Sequence, residues 1–271
     1  MVGWPYNSRQ ATKLMSEFTD KLVLITGGSR GIGKGIAIEF ARNGANIIIN
    51  YLRNRRSALE TQKAIEDLGV SCSTIKAHLG EVDKISGMFE EIKAEYGHLD
   101  ILINNAASGV QREAERLEPK HWDWAMNINA RAPWICSIEA SKLMVNGGSI
   151  VNISSEGSRT VLPYYLSVGA SKAALESLTR YLAVELSGKN INVNTVSGGY
   201  VMTDALDTFP NRDNMVSSGQ QTLAGRMVTI EDLAKATLFL CSKDAIMIRG
   251  QVLTVDGGVT LMANKYGEYS V

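Results

Sequence analysis

Apolar runs of strand length alternate with amphipathic stretches along most of the chain. Residues 21–26 (KLVLIT) form the first run. A glycine-rich turn follows, then a helical pattern over 31–43 that Gly44 ends. Residues 45–50 (ANIIIN) read as a β-branched strand, and 57–68 as a charged amphipathic helix closed by Gly69. A third strand is expected at 71–77, a third helix at 84–96 stopped by Gly97, and a fourth strand at 99–104. The second half repeats the theme. A long helix lies within 121–145 and is interrupted by Pro133; a strand at 149–154 (SIVNIS) and a helix at 169–186 follow. A strand at 191–196, a helix at 231–241 and a last strand at 251–255 complete the pattern.

Near-continuously apolar strands joined by helices imply a parallel sheet covered on both faces. The right-handed crossover rule makes a doubly wound sheet the simplest topology. The expected fold class is α/β, a single-domain Rossmann fold with a doubly wound parallel sheet of about seven strands. No linker or repeat divides the chain. Residues 1–20 read as a polar N-terminal extension ahead of one domain at 21–271. The longest irregular stretch, 198–228, is expected to be a substrate-binding loop.

The chain has 271 residues and is 45% hydrophobic, and one of this length buries about three quarters of its unfolded surface without disulfides or metal. Lys+Arg and Asp+Glu are both 28, which argues against a nucleic-acid partner held by a basic face. No run reaches the roughly 18 apolar residues of a membrane span, and 1–20 lacks the apolar core of a signal peptide. The expected location is the cytoplasm. Cys72, Cys136 and Cys241 are scattered and read as buried thiols; His78, His98 and His121 read as surface or half-buried, with no metal site.

Candidate chemistry begins at Thr26–Gly33 (TGGSRGIG), between the first strand and first helix. Glycines there let the backbone approach a pyrophosphate, and the helix start offers free N–H groups. NAD enzymes place Asp or Glu at the end of the second strand to bind ribose hydroxyls. Here that place holds Asn50, Tyr51, Leu52 and Arg53, so no carboxylate repels a 2′-phosphate, and Arg30 and Arg53 are positioned to clamp one. The cofactor expected is NADPH.

These residues resemble the short-chain dehydrogenase/reductase family. Thr-Gly-x3-Gly-x-Gly at 26–33 is similar to its signature, Asn104-Asn105-Ala106-Ala107 to its Asn-Asn-Ala-Gly, and Asn129, Ser155, Lys172 and Asp256-Gly257-Gly258 to its later positions. One departure matters. The usual tyrosine stands four residues before the lysine, where this chain has Val168. Tyr165 lies instead in Tyr-x6-Lys with Lys172, the spacing of the enoyl-acyl-carrier-protein reductases. With the ordinary glycine motif, this resembles the NADPH-dependent enoyl reductase III (FabL-like) group.

The resemblance implies reduction of the trans-2 double bond of an enoyl thioester in fatty acid synthesis, carried on acyl carrier protein or coenzyme A. It implies a homotetramer. It implies Tyr165 and Lys172 as catalytic residues, supported by Ser155 and Asn129. Cofactor contacts are implied for Gly27, Ser29, Arg30, Gly31, Ile32, Gly33, Tyr51, Arg53, Leu79, Asn105, Ala106, Lys172, Gly198, Val201 and Thr203. Substrate contacts are implied for Ala107, Tyr165, Tyr200 and Leu206.

The spacing has a physical meaning. Three residues earlier is almost one helical turn, about 5 Å. Hydride meets a ketone on the carbon bearing oxygen, but an enoyl thioester at its β-carbon, so the group that stabilises the oxyanion belongs farther out. Alternatives stay open: a carbonyl or 3-oxoacyl reductase using Tyr164 or Tyr165, or a non-catalytic NADP-binding relative. Trp122 and Trp124 are expected in the core. Met202, Met215 and Met227 suit either an acyl pocket or core packing, and Arg212 and Arg226 are candidates for a basic portal rim.

Overall fold

The computed structural model describes residues 16–203, 206 and 212–261. Most of the N-terminal extension therefore lies outside the described residues. The strands are β1 (Leu22–Ile25), β2 (Asn46–Tyr51), β3 (Cys72–Lys76), β4 (Ile101–Asn104), β5 (Gly148–Ser155), β6 (Ile191–Gly198) and β7 (Val252–Val255). They form one sheet in the order β3-β2-β1-β4-β5-β6-β7, and every pairing is parallel. The α/β Rossmann expectation and its seven strands are met.

The helices are α1 (Gly31–Arg42), α2 (Arg55–Glu66), α3 (Val82–Tyr96), α4 (Pro119–Met126), α5 (Ala132–Leu143), α6 (Leu166–Glu185), α7 (Arg212–Gln220) and α8 (Ile230–Cys241). Side chains alternate across each strand, so β1 sends Val23 and Ile25 to one face and Leu22 and Leu24 to the other. The first face packs against Ile36 and Phe40 of α1, Ile65 of α2 and Leu233 of α8. The second packs against Ile85 of α3, Cys136 of α5 and Leu182 of α6. Each fully buried Ile or Leu in these layers stabilises the fold by about 1.5–3 kcal/mol. A chain of buried polar groups also crosses the sheet. Asn104 donates to Asn152 (2.9 Å), Asn152 donates to Thr179 (2.9 Å), and Thr179 meets Thr195 (2.7 Å).

Two helical expectations need correction. The long helix interrupted at Pro133 begins earlier, at Pro119, and its interruption is a wide π-type turn over Asn127–Arg131 just ahead of the proline. The stretch 198–228 is not wholly irregular, because α7 lies inside it.

The chain leaves β1 through α1 on one face, and β4 through α4 and α5 on the other. The carboxyl ends of β1 and β4 therefore flank a topological switch point, where open α/β sheets bind ligands.

Candidate active site

At the end of β1 the chain turns through Gly27 (φ +63°) and Gly31 (φ +54°), a backbone region costly for residues with a Cβ. A Cβ on Gly33 would stand 2.5 Å from both Asn105 Nδ2 and the Gly27 carbonyl, so the start of α1 lies directly on the turn. Thr26 Oγ1 accepts the N–H groups of Asn105 (2.9 Å) and Ala106 (3.1 Å). Asn105 returns its amide to the carbonyls of Thr26 (2.9 Å) and Gly27 (3.1 Å). The ends of β1 and β4 are thereby tied together beside the N–H groups of α1.

A cleft of about 610 Å³ runs from this turn across the end of β2. Of the cofactor contacts named from the sequence, Gly27, Ser29, Arg30, Gly31, Ile32, Gly33, Tyr51, Arg53, Leu79, Asn105, Ala106 and Thr203 line it, whereas Lys172, Gly198 and Val201 do not; Ala107, named as a substrate contact, lines it too. Among the described residues lining it there is no Asp or Glu. Asn50, placed by the sequence at the end of the second strand but given no contact there, donates its amide to the Ile75 (3.4 Å) and Ala77 (3.2 Å) carbonyls while its oxygen accepts from Gly27 N (3.4 Å). A buried amide inside an apolar strand was its visible signal. His78 and Trp124 also line the cleft and were missed.

A second, inner cavity of about 220 Å³ shares Ile32, Asn105, Ala107 and Thr203 with the cleft. Ser155, Tyr165, Lys172, Gly198, Tyr200, Val201 and Leu206 meet here, so three of the four named catalytic residues share one chamber. Tyr165 is the residue just before α6 rather than part of it, with φ −113° and ψ 12°. Its ring lies against Gly157, where an added Cβ would come within 2.5 Å of it. Its hydroxyl lies 3.4 Å from Ser155 Oγ. Burial pushes this phenol above the usual tyrosine range, against the opposing bond to Ser155. Tyr164 has φ +64° and does not line either space. Val168 is buried and packs toward Gly109.

Lys172 is 4% exposed and donates to the Ile153 carbonyl at 2.7 Å. Burial lowers its ammonium to about 8, and the nearby Glu176 carboxylate works the other way. Glu176, one turn further along α6, accepts from Ser154 (2.8 Å), Ser158 (2.5 Å) and Arg159 (3.1 Å). The end of β5 and the turn after Ser155 are thus fastened to the helix carrying Lys172.

Asn129 is placed elsewhere. It is fully buried, its oxygen accepts from Ser108 N (2.8 Å), and its amide donates to the Ser108 carbonyl (2.8 Å) and Ser171 Oγ (2.9 Å). It lines neither space and instead joins the loop after β4 to α6.

Other expectations are corrected. Trp122 and Trp124 are 42% and 38% exposed, not core, because α4 is short and presents them outward. His121 is buried, since its ring accepts the Glu118 N–H (3.1 Å) at the start of α4. Arg226 is bound at 2.6 and 2.8 Å to Asp232 in the cap of α8. Arg212 lies 3.3 Å from Asp213. Met215 lines the inner cavity and Met227 packs behind it, while Met202 is 48% exposed. Cys72 and Cys136 are buried, with thiols pushed up to about 12 by desolvation; Cys241 is partly buried and its thiol is also raised. No described helix is long and apolar enough to cross a membrane.

The family model described as "Enoyl-(Acyl carrier protein) reductase" matches residues 27–260, which spans both spaces. The chain belongs to the short-chain dehydrogenase/reductase family. As a member it is an oxidoreductase. It is 37% identical over 243 residues to 1-cyclohexenylcarbonyl-CoA reductase of Streptomyces collinus, covering 89% of this chain and 87% of that one. It is 33% identical to the hydroxynaphthalene reductase-like protein Arp2 of Metarhizium robertsii, covering 89% and 95%. Two solved short-chain dehydrogenase/reductase structures superpose with a TM-score of 0.84. They are angucycline C-6 ketoreductase LanV with bound NADP (33% identity, covering 91% and 98%) and a Burkholderia cenocepacia short chain dehydrogenase in complex with NADP (30%, covering 90% and 100%).

Proposed function

We propose that this protein is an NADPH-dependent enoyl-thioester reductase, acting on trans-2-enoyl groups carried by acyl carrier protein in fatty acid synthesis or by coenzyme A. The observation that carries the reading is Tyr165, set ahead of α6 with its phenol in the inner cavity beside Ser155 and Lys172, while Val168 fills the usual position. NADPH is supported by the donor set of the outer cleft. Glycines turn the chain onto the α1 N–H groups, Arg30 and Arg53 stand near the end of β2, and no described acid lines the cleft.

Bound NADPH would supply the hydride that saturates the double bond. Gly27, Ser29 and Gly31 would hold the pyrophosphate, and Arg30 and Arg53 the 2′-phosphate. Tyr165 keeps its proton because burial raises its phenol, so it donates a hydrogen bond to the thioester oxygen as charge develops there. Lys172 would hold the ribose hydroxyls and add positive charge behind Tyr165. Asn129 positions the loop after β4, and Ala107, Tyr200 and Leu206 would line the acyl path. Exposed apolar Trp134 on α5 and Tyr181 and Val184 on α6 support a homotetramer. Lacking a membrane-crossing helix among its described residues, the protein is proposed to work in the cytoplasm.

A second reading, 3-oxoacyl or other carbonyl reduction, is favoured by one feature, the Ser155–Tyr165 contact of 3.4 Å beside Lys172. The test follows NADPH oxidation with crotonyl and acetoacetyl thioesters on both carriers. Turnover of the crotonyl substrates is expected. Turnover of acetoacetyl alone would sink the enoyl reading, and tight NADPH binding without any turnover would mark a non-catalytic relative.

A further inference from the structure

Glu176 does more than fasten the turn after Ser155. It stands four residues after Lys172 on α6. Side chains at that spacing leave a helix on one face, about 5 Å apart along its axis. Both are buried, Lys172 at 4% exposure and Glu176 at 5%. They also grip neighbouring residues of β5. Lys172 donates to the Ile153 carbonyl (2.7 Å), and Glu176 accepts from the Ser154 hydroxyl (2.8 Å). A carboxylate and an ammonium thus share one buried layer between α6 and the end of β5.

Water screens charges in such a layer only weakly. Glu176 also binds Arg159 (3.1 Å), but the Arg159 side chain is 54% exposed and that of Glu176 only 7%, so solvent blunts the arginine more than the carboxylate. Other titratable groups surround Lys172. Glu156 after β5, Tyr165 ahead of α6 and Tyr200 after β6 line the same chamber. Arg131, in the π-type turn packed on α6, donates to the Gly80 carbonyl (2.7 Å). On α4, Lys120 and His121 face Glu118 and Asp123 is exposed; on α5, Lys142 pairs with Glu139. Burial works against the Lys172 charge, and Glu176 is the neighbour whose charge supports it.

We propose that Glu176 is a positioning residue of the reduction, which keeps Lys172 cationic at neutral pH while it holds the Ser155 turn against α6. This rests on the reading above in which Lys172 supplies positive charge behind Tyr165. Glu176 touches neither reacting atom; it acts through Lys172 and Ser155. A purely structural Glu176 would lower activity equally at every pH, whereas a charge acting on Lys172 moves the pH at which activity is lost.

The test uses the nucleotide-loaded enzyme and crotonyl thioester. Glu176→Gln keeps the side-chain shape and an acceptor oxygen but loses the charge; Ser158→Ala keeps the charge and loosens the turn. The alkaline limb of kcat/KM should move down by about one pH unit or more in Glu176→Gln and stay in place in Ser158→Ala. Glu176→Asp, which restores a carboxylate, should recover most of the shift. NMR of lysines labelled with carbon-13 at Cε reads the same titration without turnover, with Lys172 assigned through Lys172→Arg. Its midpoint should fall from about 8 by the same amount in Glu176→Gln. An unmoved midpoint, or a kcat/KM lowered equally at every pH, overturns the proposal. A moved midpoint in an enzyme that turns over no enoyl thioester supports the coupling and sinks only the enoyl reading. Should Glu176→Gln not fold, wild type decides. The Glu176 Cδ signal, assigned through Glu176→Asp, should step as Lys172 titrates, and a signal flat through that midpoint overturns the proposal.

Discussion

Tyr165 and Lys172 are held by opposite consequences of burial. The Tyr165 phenol is raised and stays a proton donor, whereas the Lys172 ammonium is lowered to about 8. Replacing Tyr165 by Phe should reduce kcat about 100-fold or more, with NADPH affinity nearly unchanged in a fluorescence titration. A normal kcat would remove this phenol from the chemistry. If Lys172 acts as a cation, kcat/KM should fall as pH rises through about 8. The stability sign is the reverse. A lysine lowered from 10.5 to about 8 costs the folded state about 3 kcal/mol below that range. The unfolded state binds the extra proton between about 8 and 10.5, so the cost fades as pH rises through that window. Lys172→Met should thus be inactive yet more stable than wild type at neutral pH, with the gap closing toward pH 10.5 in chemical denaturation. Both residues were legible from their spacing to each other. Glu156 was not singled out, although a charged residue directly after the apolar run SIVNISS was a signal in plain view.

At the scale of elements, the glycine turn, the bare end of β2 and the alternation of strands and helices followed from local pattern, because each depends on neighbours in sequence. The π-type turn at Asn127–Arg131 did not, since it is set by Asn129 reaching Ser108 and Ser171 from other parts of the chain. Asn129→Ala would leave the Ser108 N–H and carbonyl without that partner in a buried place. A loss of about 3 kcal/mol is expected in urea unfolding, together with a weaker hold on the loop at Ser108. A change under about 0.5 kcal/mol would mean that solvent replaces these bonds. Helix α7 was also hidden. Residues 212–220 (RDNMVSSGQ) bear few apolar positions, so no helical stripe marked them.

For the whole molecule, the sheet brings an outer cleft and an inner chamber together at the ends of β1 and β4, sharing Ile32, Asn105, Ala107 and Thr203. A ligand bound to the folded state at 100 times its Kd adds about 2.7 kcal/mol, so NADPH should raise Tm by several degrees. NADH at equal concentration should raise it less. Arg30→Ala with Arg53→Ala should remove most of that difference, and an unchanged preference would show that the 2′-phosphate is read elsewhere. The central claim is that the displaced phenol serves an enoyl thioester, whose charge-bearing oxygen lies two carbons from the carbon that takes the hydride. The most direct measurement uses NADPH deuterated at the transferable position, with crotonyl thioester, and locates the label by NMR. Deuterium at carbon 3 of the butyryl product, lost when Tyr165 is replaced by Phe, is the expected result. Unlabelled crotonyl thioester, alongside deuterium at carbon 3 of 3-hydroxybutyryl thioester made from acetoacetyl thioester, would contradict it.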